Sequence, residues 1–248
     1  MLEIRNLKKS FGDHEVLKGL SLNIPSGKIT VIIGGSGTGK SVLLKHIIGL
    51  IEPDEGQILL DGESLYEMTS ETLKKQRMRF GMLFQDAALF DSMTVYENIA
   101  FPLIEHTDWS EAEVTRVVKH KLEQIRLPGI EEKFPSELSG GMRKRVGLAR
   151  ATALEPEIVL YDEPTTGLDP VTSKAIDDLI VQTQNNLKNA TSIIISHDIP
   201  STLRIANQVA MLHDGRIVEV GSPKDILHSK NPIVREFLDP VIDQIGVA

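Results

Sequence analysis

One run in the chain is built for chemistry: Gly34-Gly35-Ser36-Gly37-Thr38-Gly39-Lys40-Ser41. It fits the P-loop pattern of Gly, four residues, then Gly-Lys-Ser. Glycines let successive backbone N–H groups turn inward around phosphate oxygens. The start of a following helix adds a partial positive charge. In that reading Lys40 reaches the β- and γ-phosphates of a nucleoside triphosphate and Ser41 ligates Mg²⁺. The alternative is a glycine-rich turn with no ligand. The flanks argue against it: an apolar run, Ile29–Ile33, precedes the glycines, and a helical pattern of Leu43/Leu44, Ile47/Ile48 and Ile51 follows them.

A second constellation is Ile158-Val159-Leu160-Tyr161-Asp162-Glu163, an apolar strand that ends in two acids. Asp162 at the strand end can hold Mg²⁺ through its water shell. Glu163, next along, can polarise an attacking water as general base. An ordinary solvated acidic pair is the competing account. The position decides between them, because ligands of open α/β sheets lie at the carboxyl ends of the strands.

The elements that must position these groups are legible as periodicity. Phe11-Gly12-Asp13-His14 is a turn between two extended runs, and Leu20, Leu22 and Ile24 alternate as in a half-buried strand. Ile29–Ile33 is continuously apolar, as suits a buried parallel strand, and the helix after the glycines is predicted to end at Pro53. Gln57–Leu60 and Arg79–Phe84 read as strands. From residue 86 to about 155 the pattern is helical: Ser110 with Glu113 forms a capping box ahead of Val114, Val117/Val118, Lys121/Leu122 and Ile125. Ser139 caps a second helix with Met142, Val146, Ala149 and Ala153 on one face. Strands return at Ile158–Tyr161 and Ser192–Ile195, with a helix from Pro170 between them. Val209–Leu212 and Arg216–Val220 flank an Asp214-Gly215 hairpin turn, and Ser222-Pro223 opens a last helix.

Bulk composition is consistent with one large α/β domain, or a core plus a subdomain. The chain has 248 residues, 41% of them apolar and 25% charged. A net charge of −8 argues against a general nucleic-acid binder, and no nucleic-acid partner is expected. Without cysteine there is no disulfide framework and no thiolate metal site. Met1-Leu2-Glu3-Ile4-Arg5 does not read as a signal peptide. No apolar stretch reaches the roughly 18 residues that crossing a bilayer needs. Any membrane role is therefore expected to run through a partner.

Leu138-Ser139-Gly140-Gly141-Met142 resembles the signature motif of ABC ATPases. Physically it is a capped helix start with two glycines, which presents a hydroxyl, bare N–H groups and a dipole to an anion. The resemblance implies the ABC ATPase fold: an α/β P-loop core with a mixed sheet, an N-terminal antiparallel β-subdomain and an inserted helical subdomain. It also implies that Ser139, Gly140 and Gly141 meet the γ-phosphate of ATP held by the other cassette. Two copies would then sandwich two ATPs head to tail, in an isologous arrangement. ATP and Mg²⁺ are the implied ligands, with the cradle extending through Val42. Four further positions resemble family motifs. Phe11 is similar to the aromatic that stacks on adenine, and equally to a packing aromatic in a hairpin. Gln85 resembles the glutamine that contacts Mg²⁺ and water, or is a plain polar loop start. Asp169, in Gly167-Leu168-Asp169, resembles the loop that speaks across the dimer, and is also a helix cap; both readings can hold. His197 resembles the switch histidine that senses the γ-phosphate.

The implied layout is an ATPase core over 1–85 and 156–225, a helical signature subdomain over 86–155 and a tail over 226–248. Met142 stands where most of the family carries Gln, Val42 where Thr is usual, and Phe84-Gln85-Asp86-Ala87-Ala88-Leu89-Phe90 follows a strand. Together these resemble the ATPases of Mla/Mce-type phospholipid transport systems. That implies a permease and a Mce-type lipid-binding subunit as partners, at the cytoplasmic face of the inner membrane. Leu89, Phe90, Met93, Val95 and Tyr96 are expected to line in part the groove for a permease helix, or to be core of the insertion. Ile233, Phe237, Leu238, Val241, Ile242 and Ile245 recur at roughly helical spacing and are expected to pack on the neighbouring cassette. Other ABC importers or exporters, a soluble ABC ATPase, and a binding module without hydrolysis are the competing functions.

Overall fold

The computed structural model describes residues 1–187 and 190–245, the side chains of 241–245 excepted. Two strands open the chain, β1 (Leu2–Phe11) and β2 (His14–Ile24), paired antiparallel with Phe11 opposite His14. Then come β3 (Ile29–Ile33), α1 (Lys40–Ile47), β4 (Glu55–Leu60), the short β5 (Glu63–Ser64), α2 (Ser70–Arg77) and β6 (Phe80–Leu83). The helical stretch holds α3 (Val95–His106), α4 (Glu111–Gln124), a single 3₁₀ turn at Pro135–Glu137 and α5 (Gly140–Ala151). The chain continues through β7 (Ile158–Asp162), α6 (Pro170–Asn186), β8 (Thr191–Ser196), α7 (Ile199–Ile205), β9 (Gln208–His213), β10 (Arg216–Gly221), α8 (Pro223–Leu227) and α9 (Pro232–Ile245).

Two sheets result. An antiparallel sheet has the order β2-β1-β4-β5, and a larger one the order β10-β9-β3-β8-β7-β6. In the larger sheet β9, β3, β8, β7 and β6 are parallel and only β10 runs against its neighbour. Its central strands read as unbroken apolar runs because both of their faces are covered. Successive side chains point to opposite faces. Ile29, Val31 and Ile33 of β3 therefore join a cluster with Val159, Tyr161, Ile176, Leu179 and Ile180. Ile32, Leu160, Ile193 and Ile195 join Leu43, Leu44 and Ile47 of α1 and the inner face of the antiparallel sheet. A third cluster, with Val95, Ile99, Val118, Leu122, Val146 and Ala149, fills the space between α3, α4 and α5.

Most local signals act as expected. Ser110 and Glu113 form the capping box of α4. Asp214 and Gly215 have φ of 45° and 70°, the paired left-handed conformation a two-residue I′ turn needs. Three points differ. Helix α1 stops at Ile47, well before Pro53. Gly49, at φ 69°, takes the left-handed position, and Leu50 N–H donates to Lys45 O while Gly49 N–H donates to His46 O, the two bonds of a Schellman cap. Strand β5 and helix α2 lie in a polar stretch whose only marks are turn glycines and the Thr69 cap. The helix opened by Ser222 is only five residues long and α9 follows it. In α9, Val234 and Leu238 are buried in the chain's own core, with Ile233 and Phe237 packed alongside. The side chains of Val241, Ile242 and Ile245 lie outside the described residues.

Candidate functional site

Parallel strands share one carboxyl edge, and four neighbours deliver the chemistry there. β3 leads into the glycine loop, β8 into His197, β7 ends at Asp162 with Glu163 next, and β6 leads through Phe84 to Gln85. The loop Gly34–Gly39 turns tightly: a methyl on Gly34 would lie 2.3 Å from Leu212 O. Gly39, at φ 97°, is the N-cap of α1 and supplies no side-chain cap, so the first amides of α1 are left for a ligand. Lys40 Nζ donates to Gly34 O at 2.9 Å and to Gly35 O at 2.7 Å. The ammonium is thus folded over the loop it would use to grip phosphate. Burial pushes its pKa down, against the pull of Glu163 and Asp162.

Ser41 Oγ donates to Asp162 Oδ1 at 3.3 Å. Burial pushes the Asp162 carboxyl above the usual carboxylate range, opposed by that hydrogen bond and by Lys40. Among the described residues no cluster of three or more His, Cys, Asp or Glu side chains could cage a metal. A hydroxyl and one carboxylate beside a phosphate cradle instead suit Mg²⁺, which keeps waters and takes phosphate oxygens as ligands. The residues present therefore fit a triphosphate with its divalent ion.

Glu163 stands in the left-handed region at φ 48°. Its amide donates to Ile195 O at 3.0 Å. Its Oε2 accepts from Thr166 Oγ1 at 2.6 Å, and His197 Nδ1 lies 2.7 Å from the same oxygen. Thr166 escapes a sequence reading centred on acids and histidines. The available signal is a hydroxyl three residues after an acid, the reach of one tight turn.

A cleft of about 740 Å³, within the size range of ligand sites, brings together Ser36, Gly37, Gly39, Lys40, Ser41, Val42, Gln85, Glu163 and His197. Val16 and Thr166 also line it. Phe11 does not: it is 49% exposed at the hairpin end, with Lys9 Nζ 5.8 Å from its ring centroid. Ser139, Gly140, Gly141 and Asp169 are not in this wall either. Ser139 Oγ accepts from Met142 N–H at 3.2 Å, and Asp169 Oδ1 accepts from Val171 and Thr172 N–H at 3.0 Å each. A methyl on Gly141 would meet Thr172 Cγ2 at 2.6 Å, so close packing of α5 on α6 requires glycine there. Of the apolar residues after Gln85, Val95 is buried in the insertion, and Leu89 and Tyr96 pack against its core. Phe90 instead lines a groove of about 510 Å³ with Phe84, Phe101 and Pro102, its ring 5.1 Å from that of Phe101.

Residues 17–166 match the model of the ABC transporter family. The chain is 44% identical over 238 residues to the probable ribonucleotide transport ATP-binding protein mkl of Mycobacterium leprae, covering 96% of this chain and 68% of that one. The chain spans about two thirds of the length of these mycobacterial relatives, 66% in Mycobacterium tuberculosis. It is 42% identical over 243 residues to the intermembrane phospholipid transport system ATP-binding protein MlaF of Escherichia coli, covering 98% of this chain and 90% of that one. Among solved structures, a dimeric ATP-binding cassette in a post-hydrolysis state with ADP and Pi superposes with a TM-score of 0.82 at 30% identity, covering 90% of this chain and 99% of that one. The cbiO1 protein of Clostridium perfringens superposes with 0.84 at 31% identity, covering 99% and 96%. With its cradle, its acidic strand end and these likenesses over nearly its whole length, the chain belongs to the ABC transporter family, as an ATP-binding and ATP-hydrolysing cassette.

Proposed function

We propose that the chain is the motor subunit of a transporter that moves phospholipid or related lipid across the cell envelope, working as a head-to-tail pair. The observation that carries the motor reading is the delivery of Lys40 and Ser41, Gln85, Asp162 and Glu163, and His197 by four parallel strand ends to one edge. The amides of Gly34–Gly39 and the start of α1 hold the phosphates of ATP, with Ser36, Thr38 and Val42 completing the loop. Lys40 exchanges the carbonyls of Gly34 and Gly35 for phosphate oxygens. Ser41, Gln85 and Asp162 would hold Mg²⁺, which neutralises charge on the phosphates as the γ-phosphoryl leaves. Glu163 orients the attacking water and takes its proton. His197 reaches the γ-phosphate, and Phe11 covers the adenine. Ser139, Gly140, Gly141 and Asp169, absent from the cleft of their own chain, serve the cleft of the second copy. The core is residues 1–85 and 156–225, the signature subdomain 86–155 and the tail 226–248.

The membrane connection is a permease seated on the insertion, with a Mce-type subunit carrying the lipid. Among the described residues no helix is long and apolar enough to cross a membrane. The likeness to an intermembrane phospholipid transport ATP-binding protein supports a place at the cytoplasmic face of the inner membrane, held by that permease. The likeness to MlaF over 98% of the chain supports the lipid.

Glu163→Gln tests the motor. Removing a general base typically costs about 10²–10⁴ in rate. The variant should bind ATP, run as a dimer in size-exclusion chromatography and turn over at least about a hundredfold more slowly. Hydrolysis at the parent rate would remove the base assignment. The cargo is tested with the chain co-purified with its permease in liposomes holding labelled phospholipid. ATP-dependent lipid transfer supports the reading; ATP-dependent transfer of a labelled ribonucleotide without lipid transfer defeats it in favour of the function for which the mkl relatives are named.

A further inference from the structure

Lys144 is a buried cation that the cleft chemistry leaves unused. It lies on α5, five residues past the Ser139 cap, and is 6% exposed. A charge at that depth is costly unless hydrogen bonds replace its water. Its Nζ donates to Thr166 O at 2.6 Å and to Glu163 O at 3.3 Å. Among the described residues it makes no ion pair with a carboxylate. Burial lowers its pKa, while Asp86 and Glu163 pull the other way.

The two carbonyls it holds bracket the turn that presents the general base. Glu163 occupies a left-handed conformation that residues with a Cβ avoid, so neighbouring structure must over-determine it. The turn's own closing bond, Thr166 N–H to Glu163 O, is 3.3 Å long. The ammonium binds the same carbonyl and also holds Thr166 O, and the Thr166 hydroxyl in turn donates to Glu163 Oε2. Gly141, in the first turn of α5, presses against Thr172 of α6, so α5 and the loop between β7 and α6 form one packed unit.

We propose that Lys144 is a positioning residue for hydrolysis: its ammonium, clamped on the main-chain carbonyls of Glu163 and Thr166, ties the signature helix to the loop carrying the general base of the same chain. This rests on the reading of Glu163 as that base. The helix whose N-terminus serves the partner's ATP thereby grips the backbone under its own base, and a displacement of α5 is passed to Glu163.

The test uses the full chain with Mg-ATP. Lys144→Met keeps the length and removes the charge; Lys144→Arg keeps the charge. Expected for Lys144→Met is a kcat at least about tenfold lower with KM within about threefold, and a melting temperature close to the parent's. Lys144→Arg should recover much of the rate. In a Glu163→Gln background, Lys144→Met should leave the residual rate unchanged, because the clamp acts through that carboxylate. Parent kcat in Lys144→Met, with Glu163→Gln inactive, overturns the clamp and leaves the base standing. An equal loss in both backgrounds shows Lys144 acting elsewhere and overturns it too. Full activity of Glu163→Gln removes the reading on which it rests. If Lys144→Met fails to fold, Lys144→Ala, which likewise has no donor, is judged by the same criteria.

Discussion

Thr166→Val isolates one hydrogen bond at Glu163, the proposed base. Thr166 Oγ1 lies 2.6 Å from Glu163 Oε2, inside the range of a charge-assisted O–H···O⁻ bond. Such bonds contribute about 1.5–3 kcal/mol, and Thr166 is half-buried, so the lower end applies. Valine preserves the branched shape and the main-chain carbonyl that Lys144 grips. His197 Nδ1 remains on the same oxygen, at 2.7 Å. Among the described residues Thr166 makes the one side-chain hydrogen bond to this carboxylate, so its loss broadens the orientation toward water. At about 1.4 kcal/mol per tenfold, a loss of about 1.5–2 kcal/mol becomes a kcat roughly ten- to thirtyfold lower. The assay is steady-state phosphate release across ATP concentrations, with Thr166→Ser as the variant that restores the hydroxyl. Because the hydroxyl acts on the base, KM should stay within about twofold. A Thr166→Val enzyme with parent kcat would refute the argument. So would a raised KM at unchanged kcat, which would make Thr166 a nucleotide contact.

Two further perturbations probe the frame. Gly39→Ala forces φ 97° on a residue with a Cβ and places that Cβ 3.0 Å from Leu17 Cδ2 and Val16 Cγ1; we expect a loss of about 1–2 kcal/mol in denaturant stability and weaker ATP binding, and an unaltered denaturation midpoint would contradict it. Asp177 is fully buried between α6 and α7, accepting from Ser201 Oγ at 2.7 Å and paired with Arg204. Asp177→Ala should cost about 3–5 kcal/mol by orphaning its partners, whereas Asp177→Asn should cost far less. Burial raises the Asp177 pKa despite those partners, so the fold prefers the protonated form. Its contribution is fully present below the ordinary value of about 3.8–3.9 and is lost as pH rises through the folded value. The stability difference should therefore shift in favour of Asp177→Asn as pH rises from below the ordinary value of about 3.8 to neutrality, and a shift toward the parent would sink the assignment.

What could be read in the sequence follows from how local each signal is. The strand Ile29–Ile33, the start of α1 at Lys40, the α4 box at Ser110 and the Asp214-Gly215 turn are fixed by neighbours in the chain, and the structure has them where the residues place them. The polar stretch holding β5 and α2 has no apolar period to announce it, and α2 buries none of its residues. At the candidate site, Lys40, Ser41, Glu163 and His197, each singled out by residue type, line one cleft. Thr166 and Lys144 act through a turn and a main-chain carbonyl. Neither mark exists before β7, α5 and the loop after Glu163 are brought together. Val16 shows the converse: it lines the cleft with no residue type to announce it, while Phe11, exposed at the hairpin end, lies outside that lining.

The catalytic edge gathers several groups held against their ordinary preferences. Lys40 and Lys144 are buried cations, Asp162 is a carboxyl driven upward by burial, and Glu163 sits at positive φ. Each runs against what a sequence chosen for stability alone would place there. They sit on different elements but converge on one edge, so a ligand that satisfies them acts on β3, α1, β7 and α5 together. A triphosphate would supply acceptors to Lys40, and the Mg²⁺ that Asp162 would help to hold would offset the repulsion between Asp162 and Glu163. The ligand's differential affinity for the arrangement in which these groups are met is the free energy available to bias one state of the cassette over another. On this argument this edge and the motor are one device: a site already relaxed in the absence of nucleotide would bind ATP without having a conformational preference to change.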